Sequence, residues 1–231
     1  MSNSELVTYT RILKNCHKMV NKQNKKITIH HMAGNLSLKQ VGDVFVNRES
    51  SANYAIDSKG NIGLYVNECD RAWTSASWDN DSQAVTIEVA NNKLDPEWTI
   101  SDKAMKALIN LCVDICQRNN IKELVFTGDK NGTLTYHYMF ANTACPGPYI
   151  KSKTTYICEC VNALLKGQDV QVKSPIKSTK TNEKIAVEVI RGLWGVYPER
   201  KKLLEEAGYN YSEVQKIVNQ LMNGKYNVYF D

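Results

Sequence analysis

Apolar and polar residues change rhythm several times along the chain, and the rhythm predicts the elements. Residues 27–32 alternate as a strand, with Ile27 and Ile29 on one face and Thr28 and His30 on the other. Ser37 followed three residues later by Gln40 reads as a capping box, opening a helix that carries Leu38, Val41 and Phe45. Residues 52–66 read as a hairpin, two apolar runs joined by Asp57-Ser58-Lys59-Gly60-Asn61. Residues 84–90 alternate again: Val85, Ile87 and Val89 share one face, Thr86 and Glu88 the other. The strongest helical period follows Ser101 or Asp102 and runs through Met105, Leu108, Ile109, Cys112, Ile115 and Cys116 to Asn119 and Asn120. Leu124-Val125-Phe126 reads as a short buried strand. A further helix carries Tyr156, Ile157, Cys160, Val161 and Leu164. Near the N-terminus, Tyr9, Ile12, Leu13 and Cys16 suggest a short amphipathic helix, with His17 as a solvated residue on it.

From Gly167 to Asn182 periodicity is lost among Gln, Lys, Ser and Thr, the mark of a linker. Helical spacing resumes with Ile185, Val189 and Ile190. It continues with Leu203, Leu204 and Ala207 up to Gly208, which suits a helix C-terminus. Val214, Ile217, Val218 and Leu221 follow a second capping box, Ser212 with Gln215. The expected organisation is a domain over 1–166, a linker over 167–182 and a three-helix unit with a tail over 183–231. The fold class is α/β, a central mixed sheet flanked by helices, plus a small all-α domain.

Composition narrows the classes. Hydrophobic residues are 42% of the 231, enough for a core, yet no apolar run is long enough to span a bilayer. Lys14, His17 and Lys18 interrupt the first twenty residues, so a secretory signal is not expected there, and synthesis in the cytoplasm is. The net charge of +5 admits an acidic partner such as nucleic acid or an anionic cell envelope. Seven cysteines without paired spacing argue against a disulfide framework.

Chemistry concentrates in residues 135–149, where His137 and Cys145 are followed by Pro146-Gly147-Pro148. A histidine and a cysteine on one loop are natural zinc ligands. His30 and Glu88 lie on the polar faces of strands that are aliphatic on the other side. If the strands share a sheet, His30, His137 and Cys145 can give zinc three protein ligands and leave a position for water. Zinc lowers the pKa of such a water to roughly 7, and Glu88 can take its proton. Each residue alone has a plainer reading: Glu88 as a strand-surface glutamate, His137 as a loop histidine. His31 follows the apolar phase and is expected in the core or behind the ligands.

Four motifs in order carry a family resemblance. They are Ile-Thr-Ile-His-His-Met-Ala-Gly (27–34), Asn-Tyr-Ala-Ile-Asp-Ser-Lys-Gly (53–60), Val-Thr-Ile-Glu-Val-Ala-Asn (85–91), and His137 with Thr-Ala-Cys-Pro-Gly (143–147). The segment from about 26 to 165 resembles the type 2 N-acetylmuramoyl-L-alanine amidases, which include phage lytic enzymes and peptidoglycan recognition proteins. The resemblance implies zinc bound by His30, His137 and Cys145, with Glu88 as acid/base and Thr143 assisting the oxyanion. It places Asn53 and Trp73 at the substrate. Ala52 stands where some members carry a catalytic tyrosine, and Trp73-Thr74 stands where many carry Trp-His, which leaves more of the proton chemistry to Glu88.

Residues 187–195, 199–204 and 207–215 resemble the three-helix cell-wall-binding repeat of certain phage lysozymes. That implies Arg191, Trp194 and Tyr211 as candidates for wall contact, although Trp194 also suits the core of so small a domain. Together the resemblances imply an endolysin that cuts the bond between N-acetylmuramic acid and L-alanine. Its partner is peptidoglycan of a Gram-positive-type wall, reached after release from the cell, with neither nucleic acid nor membrane insertion involved. The alternatives are a non-catalytic recognition module, which would have no need of the Cys145 thiolate, and a zinc peptidase acting on the stem peptide. Oligomeric state is not legible.

Overall fold

The computed structural model describes residues 2–168, 181–206 and 209–223. The chain forms two compact units, Met1–Val172 and Lys173–Asp231. Most of the linker, Ala207-Gly208 and the tail beyond 223 lie outside the described residues.

The first unit is built on a six-stranded mixed sheet. Its strands are β1 (Tyr9–Thr10), β3 (Lys26–His31), β4 (Tyr54–Ile56), β5 (Ile62–Leu64), β7 (Ala84–Val89) and β8 (Leu134–Tyr136), in the order β1-β5-β4-β7-β3-β8. A separate antiparallel pair joins β2 (Cys16–His17) to β6 (Arg71–Ala72). The central pairs β3–β7, β3–β8 and β4–β7 are parallel, while β4–β5 is the expected hairpin.

One face of the sheet is apolar throughout. Ile27, Ile29, Val85, Ile87 and Val89 pack there with α3 (Asp102–Arg118) and α5 (Thr154–Leu165). Ser101 caps α3 by accepting the Ala104 N–H, so the period read from Met105 to Cys116 becomes one buried stripe. The other face is divided. Over β4 and β5 it is apolar, where α1 (Leu38–Arg48) sets Leu38, Val41 and Phe45 against Ala52, Ala55 and Tyr65. The Ser37–Gln40 capping box of α1 is present as predicted. Over β7, β3 and β8 the same face is polar, with Thr28, Thr86 and Thr135 all fully buried. The site is built on this polar half.

Four local expectations are corrected. Residues 9–17 do not form a helix: β1 adds in parallel to β5, β2 closes the segment, and the N–H groups of Thr8, Arg11 and Leu13 bond the carbonyls of Ile62, Leu64 and Tyr65. This covers an otherwise open strand edge, a tertiary gain that local spacing does not report. Leu124–Phe126 is not a strand: Leu134 N–H reaches the Val125 carbonyl, but Val125 N–H is taken by the Thr133 hydroxyl, so no ladder forms. Pro146-Gly147-Pro148 does not stay a loop but leads into a short helix, α4 (Gly147–Ser152). In the second unit, α8 (Tyr211–Met222) is capped by Asn210, which accepts the Glu213 N–H, and Ser212 lies inside the first turn.

That second unit comprises α6 (Asn182–Ile190), α7 (Glu199–Glu206) and α8. Ile185, Val189, Leu204, Val214 and Val218 close around Tyr209, whereas Leu203 and Ile190 are left exposed.

A buried ion cluster ties the first unit together. Arg118 donates to both oxygens of the Glu68 carboxylate, at 3.0 and 2.6 Å, and Tyr54 Oη and Asn119 Nδ2 donate to it as well. Glu68 is 1% exposed. Arg118→Ala therefore strands a buried carboxylate, which costs about 3 kcal/mol. For a unit of this size that is a fall of about 6–12 °C in the melting temperature. A calorimetric melt whose first-unit transition moves by less than about 2 °C contradicts this.

Candidate metal and catalytic site

Parallel pairing of β3 with β7 puts His30 directly opposite Glu88, with Nδ1 4.0 Å from Oε1. Both side chains project from the polar face because each is two residues beyond a threonine on that face, Thr28 and Thr86. Thr135 pairs with Thr28, so His137, two residues on, arrives beside His30, the ring centroids 4.6 Å apart. A 3-10 turn over His137–Met139 ends β8 there, and Tyr138 N–H donates to the Cys145 carbonyl, drawing the loop shut. One ligand atom from each of His30, His137 and Cys145 then lies within 4.8 Å of the others.

Cys145 is held from several sides. Its Sγ accepts the His31 N–H at 3.4 Å, and its own N–H donates to Thr143 Oγ1 at 3.2 Å. Gly147 lets the chain leave: its φ is +83°, and a Cβ there would come within 3.0 Å of His31 Nδ1 and 3.2 Å of Trp98 Cβ. No side chain suits either condition.

The electrostatics match a cation. Burial first, then His137 and His31, hold His30 well below the usual imidazole range, and burial lowers His137 against an opposing pull from Asp81. Both rings are neutral at pH 7, with lone pairs to donate. Burial, reinforced by Glu88, pushes the Cys145 thiol up, and burial alone lifts Glu88 to about 8. Neither anion is comfortable without compensating positive charge. His30 Nε2 and Glu88 Oε2 are both buried without a hydrogen-bond partner. Two imidazoles and one thiol fit a zinc ion with a position left for water.

Below this row lies a layer that sequence reasoning missed in part. Thr28 Oγ1 is 2.9 Å from Thr135 Oγ1 and accepts from Asn80 Nδ2. Asn80 belongs to α2 (Trp78–Asp81), whose Asp81 is fully buried and accepts from the Ser75 hydroxyl and the N–H groups of Thr74 and Ser75. Thr28 was legible from alternation, Thr135 was not. Asp81 has no place in the periodic pattern and was not singled out.

Asn53 is fully buried, its amide donating to the Val66 and Asn67 carbonyls and accepting the Thr86 N–H, so it braces β7. Thr74 is also committed, donating to the Ser51 carbonyl and lying 2.8 Å from Thr86 Oγ1. Trp73 is half-buried, its indole N–H donating to His17 Nδ1 at 2.7 Å. His17 is thus exposed, as expected, but is a strand residue inside an aromatic cluster. His31 sits edge-on to Trp98, behind the ligands. In the second unit Arg191 is exposed at the end of α6. Trp194 donates to Glu188 and stands edge-on to Tyr209, half-buried. Tyr211 opens α8 near Tyr197, and the neighbouring exposed residues Leu193, Val196 and Tyr197 were not singled out by pattern.

Comparisons with known proteins agree with this arrangement. The family described as N-acetylmuramoyl-L-alanine amidase matches residues 20–148, and the CW_7 repeat matches residues 183–222. No curated protein matches the chain. Among solved structures, the fold is similar to Staphylococcus aureus hydrolase AmiA in complex with its ligand, at 12% identity and a TM-score of 0.56, over 69% of this chain and 85% of that one. It is similar to the PlyG catalytic domain, at 16% identity and 0.53, over 72% and 98%. It is also similar to an AmpD derivative, at 15% identity and 0.51, over 67% and 96%. At these identities the likeness concerns the fold.

Proposed function

Since the chain belongs to the N-acetylmuramoyl-L-alanine amidase family and carries one CW_7 repeat, we propose that it is a zinc-dependent lysin. It hydrolyses the amide between the lactyl group of N-acetylmuramic acid and L-alanine in a Gram-positive-type wall. The observation that carries this reading is the convergence of His30, His137 and Cys145 within 4.8 Å of one another, with Glu88 in register beside them.

His30, His137 and Cys145 would hold zinc, which when bound would supply Lewis acidity for the amide carbonyl and acidify a water. The remaining work belongs to the chain. Glu88, in register beside His30 and outside the ligand set, is the base. Its unpartnered Oε2 takes the proton of the attacking water and delivers it to the alanine nitrogen as the C–N bond breaks. Thr143, whose hydroxyl oxygen already accepts the Cys145 N–H, keeps its hydroxyl hydrogen for the oxyanion. With Ala52 and the committed Thr74 offering no acid, Glu88 serves both transfers. Trp73 borders the substrate.

The 183–231 unit, joined through the 167–182 linker, keeps the enzyme on the wall and raises its local concentration. Arg191, Trp194 and Tyr211 are its contact residues. A net charge of +5 favours an anionic wall.

The test is digestion of purified peptidoglycan by the full chain, with chelator and with zinc restored. New N-terminal L-alanine should appear with zinc and vanish with chelator. Binding without new termini would leave a recognition module, and new termini elsewhere in the stem peptide would leave a peptidase.

A further inference from the structure

Beside the catalytic row, α2 carries a feature that the reaction does not use. Trp78 opens this helix and is 53% exposed, high for an indole packed at its edge. One ring face is covered: the guanidinium carbon of Arg71 lies 4.6 Å from its centroid. The His17 ring meets Trp78 edge-on at 5.3 Å and Trp73 at 5.4 Å. His17 Nδ1 accepts from Trp73 Nε1 at 2.7 Å and lies 2.9 Å from Arg71 Nη1. Arg and Trp only donate, so the imidazole hydrogen is on Nε2 and the ring is fixed in one tautomer. Arg71 is buried, with Nη2 3.9 Å from Asp81 Oδ2. The indole is thus braced from below and at its edge.

This cluster is tied to the strands that carry the site. Asn80, two residues after Trp78, bonds Thr28, which lies one pleat repeat from His30. Thr74, next to Trp73, bonds Thr86, one repeat from Glu88. The platform therefore lies on the same side of the sheet as His30 and Glu88.

We propose that Trp78 is the stacking platform of a glycan subsite, taking the apolar face of an N-acetylhexosamine ring in the strand whose stem peptide is cut. The inference rests on the amidase reading. A rigid indole with one face backed offers contact area at little entropic cost, and a pyranose ring has an apolar face to lay on it. A peptide segment is the other conceivable occupant, but the cation against the Trp78 ring, Arg71, is buried beneath it and faces Asp81.

The test compares two soluble substrates for the zinc-loaded full chain: a muramoyl-peptide with one sugar, and a glycan-extended peptide carrying further N-acetylhexosamine rings. In the Trp78→Ala variant the ratio of kcat/KM for the extended over the short substrate should fall at least about fivefold, while Trp78→Phe keeps most of it. A ratio within twofold of wild type in Trp78→Ala overturns the proposal. Indole N–H resonances titrated with an N-acetylglucosamine trimer give a readout without turnover. A Trp78 shift in the wild type is expected. Its absence overturns the subsite, whatever the activity. If neither substrate is cleaved by the wild type while the Trp78 shift remains, the amidase reading fails and the subsite stands.

Discussion

Glu88→Gln is expected to lower amide cleavage by about 10²–10⁴-fold while zinc content stays at the wild-type value. The amide is isosteric with the carboxyl and cannot carry the proton from water to the leaving nitrogen. Glu88 lies 4.0 Å from His30 and outside the ligand set, so metal retention follows from the geometry. A variant that keeps zinc and cleaves at the wild-type rate removes Glu88 from the mechanism.

The same substitution has a signature in the metal-free protein. Burial raises the folded Glu88 pKa to about 8, against an ordinary 4.5. Between these values the native state binds more protons than the unfolded chain, so the stability contributed by protonated Glu88 is present below about 4.5 and is lost as pH rises to about 8. Metal-free Glu88→Gln should match the wild type near pH 5 and exceed it near pH 9, by on the order of a few kcal/mol. Parallel stability–pH curves for the two proteins would contradict the buried-carboxyl account.

Removal of a ligand gives the second large effect. Cys145→Ala should abolish measurable cleavage and the thermal response to zinc together. With free zinc at 1,000 times Kd, binding to the folded wild type adds about 4 kcal/mol. For a unit of this size that is a rise of about 8–16 °C in melting temperature. The variant loses the one ligand that carries negative charge when deprotonated, and the rise should shrink to within about 2 °C. The sulfur also accepts the His31 N–H, so the metal-free variant should itself melt slightly lower. Melts with and without zinc separate these contributions. A full zinc response in Cys145→Ala would rule out the proposed ligand set.

How much of this was legible depended on the range of the interactions. Alternation in 27–32 and 84–90 placed His30 and Glu88 on polar faces, because a strand's period is a local property. That the two face each other depends on the β3–β7 register, which no local pattern encodes. The four motifs supplied what spacing could not, tying His137 and Cys145 to the same site. The Asn53 side chain turns inward to the Val66 and Asn67 carbonyls, a commitment that its motif does not encode. In residues 9–17, Tyr9, Ile12 and Leu13 have helical spacing, but the open edge of β5 offers backbone partners that outweigh it. His17 illustrates the same limit: it looks solvated in sequence, and its partner Trp73 lies more than fifty residues away.

The most direct measurement is the position of the cut on a defined muramoyl-pentapeptide in oxygen-18 water. Hydrolysis at the proposed bond places one heavy oxygen on the lactyl carboxylate and releases an unlabelled peptide beginning with L-alanine. Heavy oxygen on a carboxylate within the stem peptide, with the muramoyl–alanine bond intact, would contradict the account.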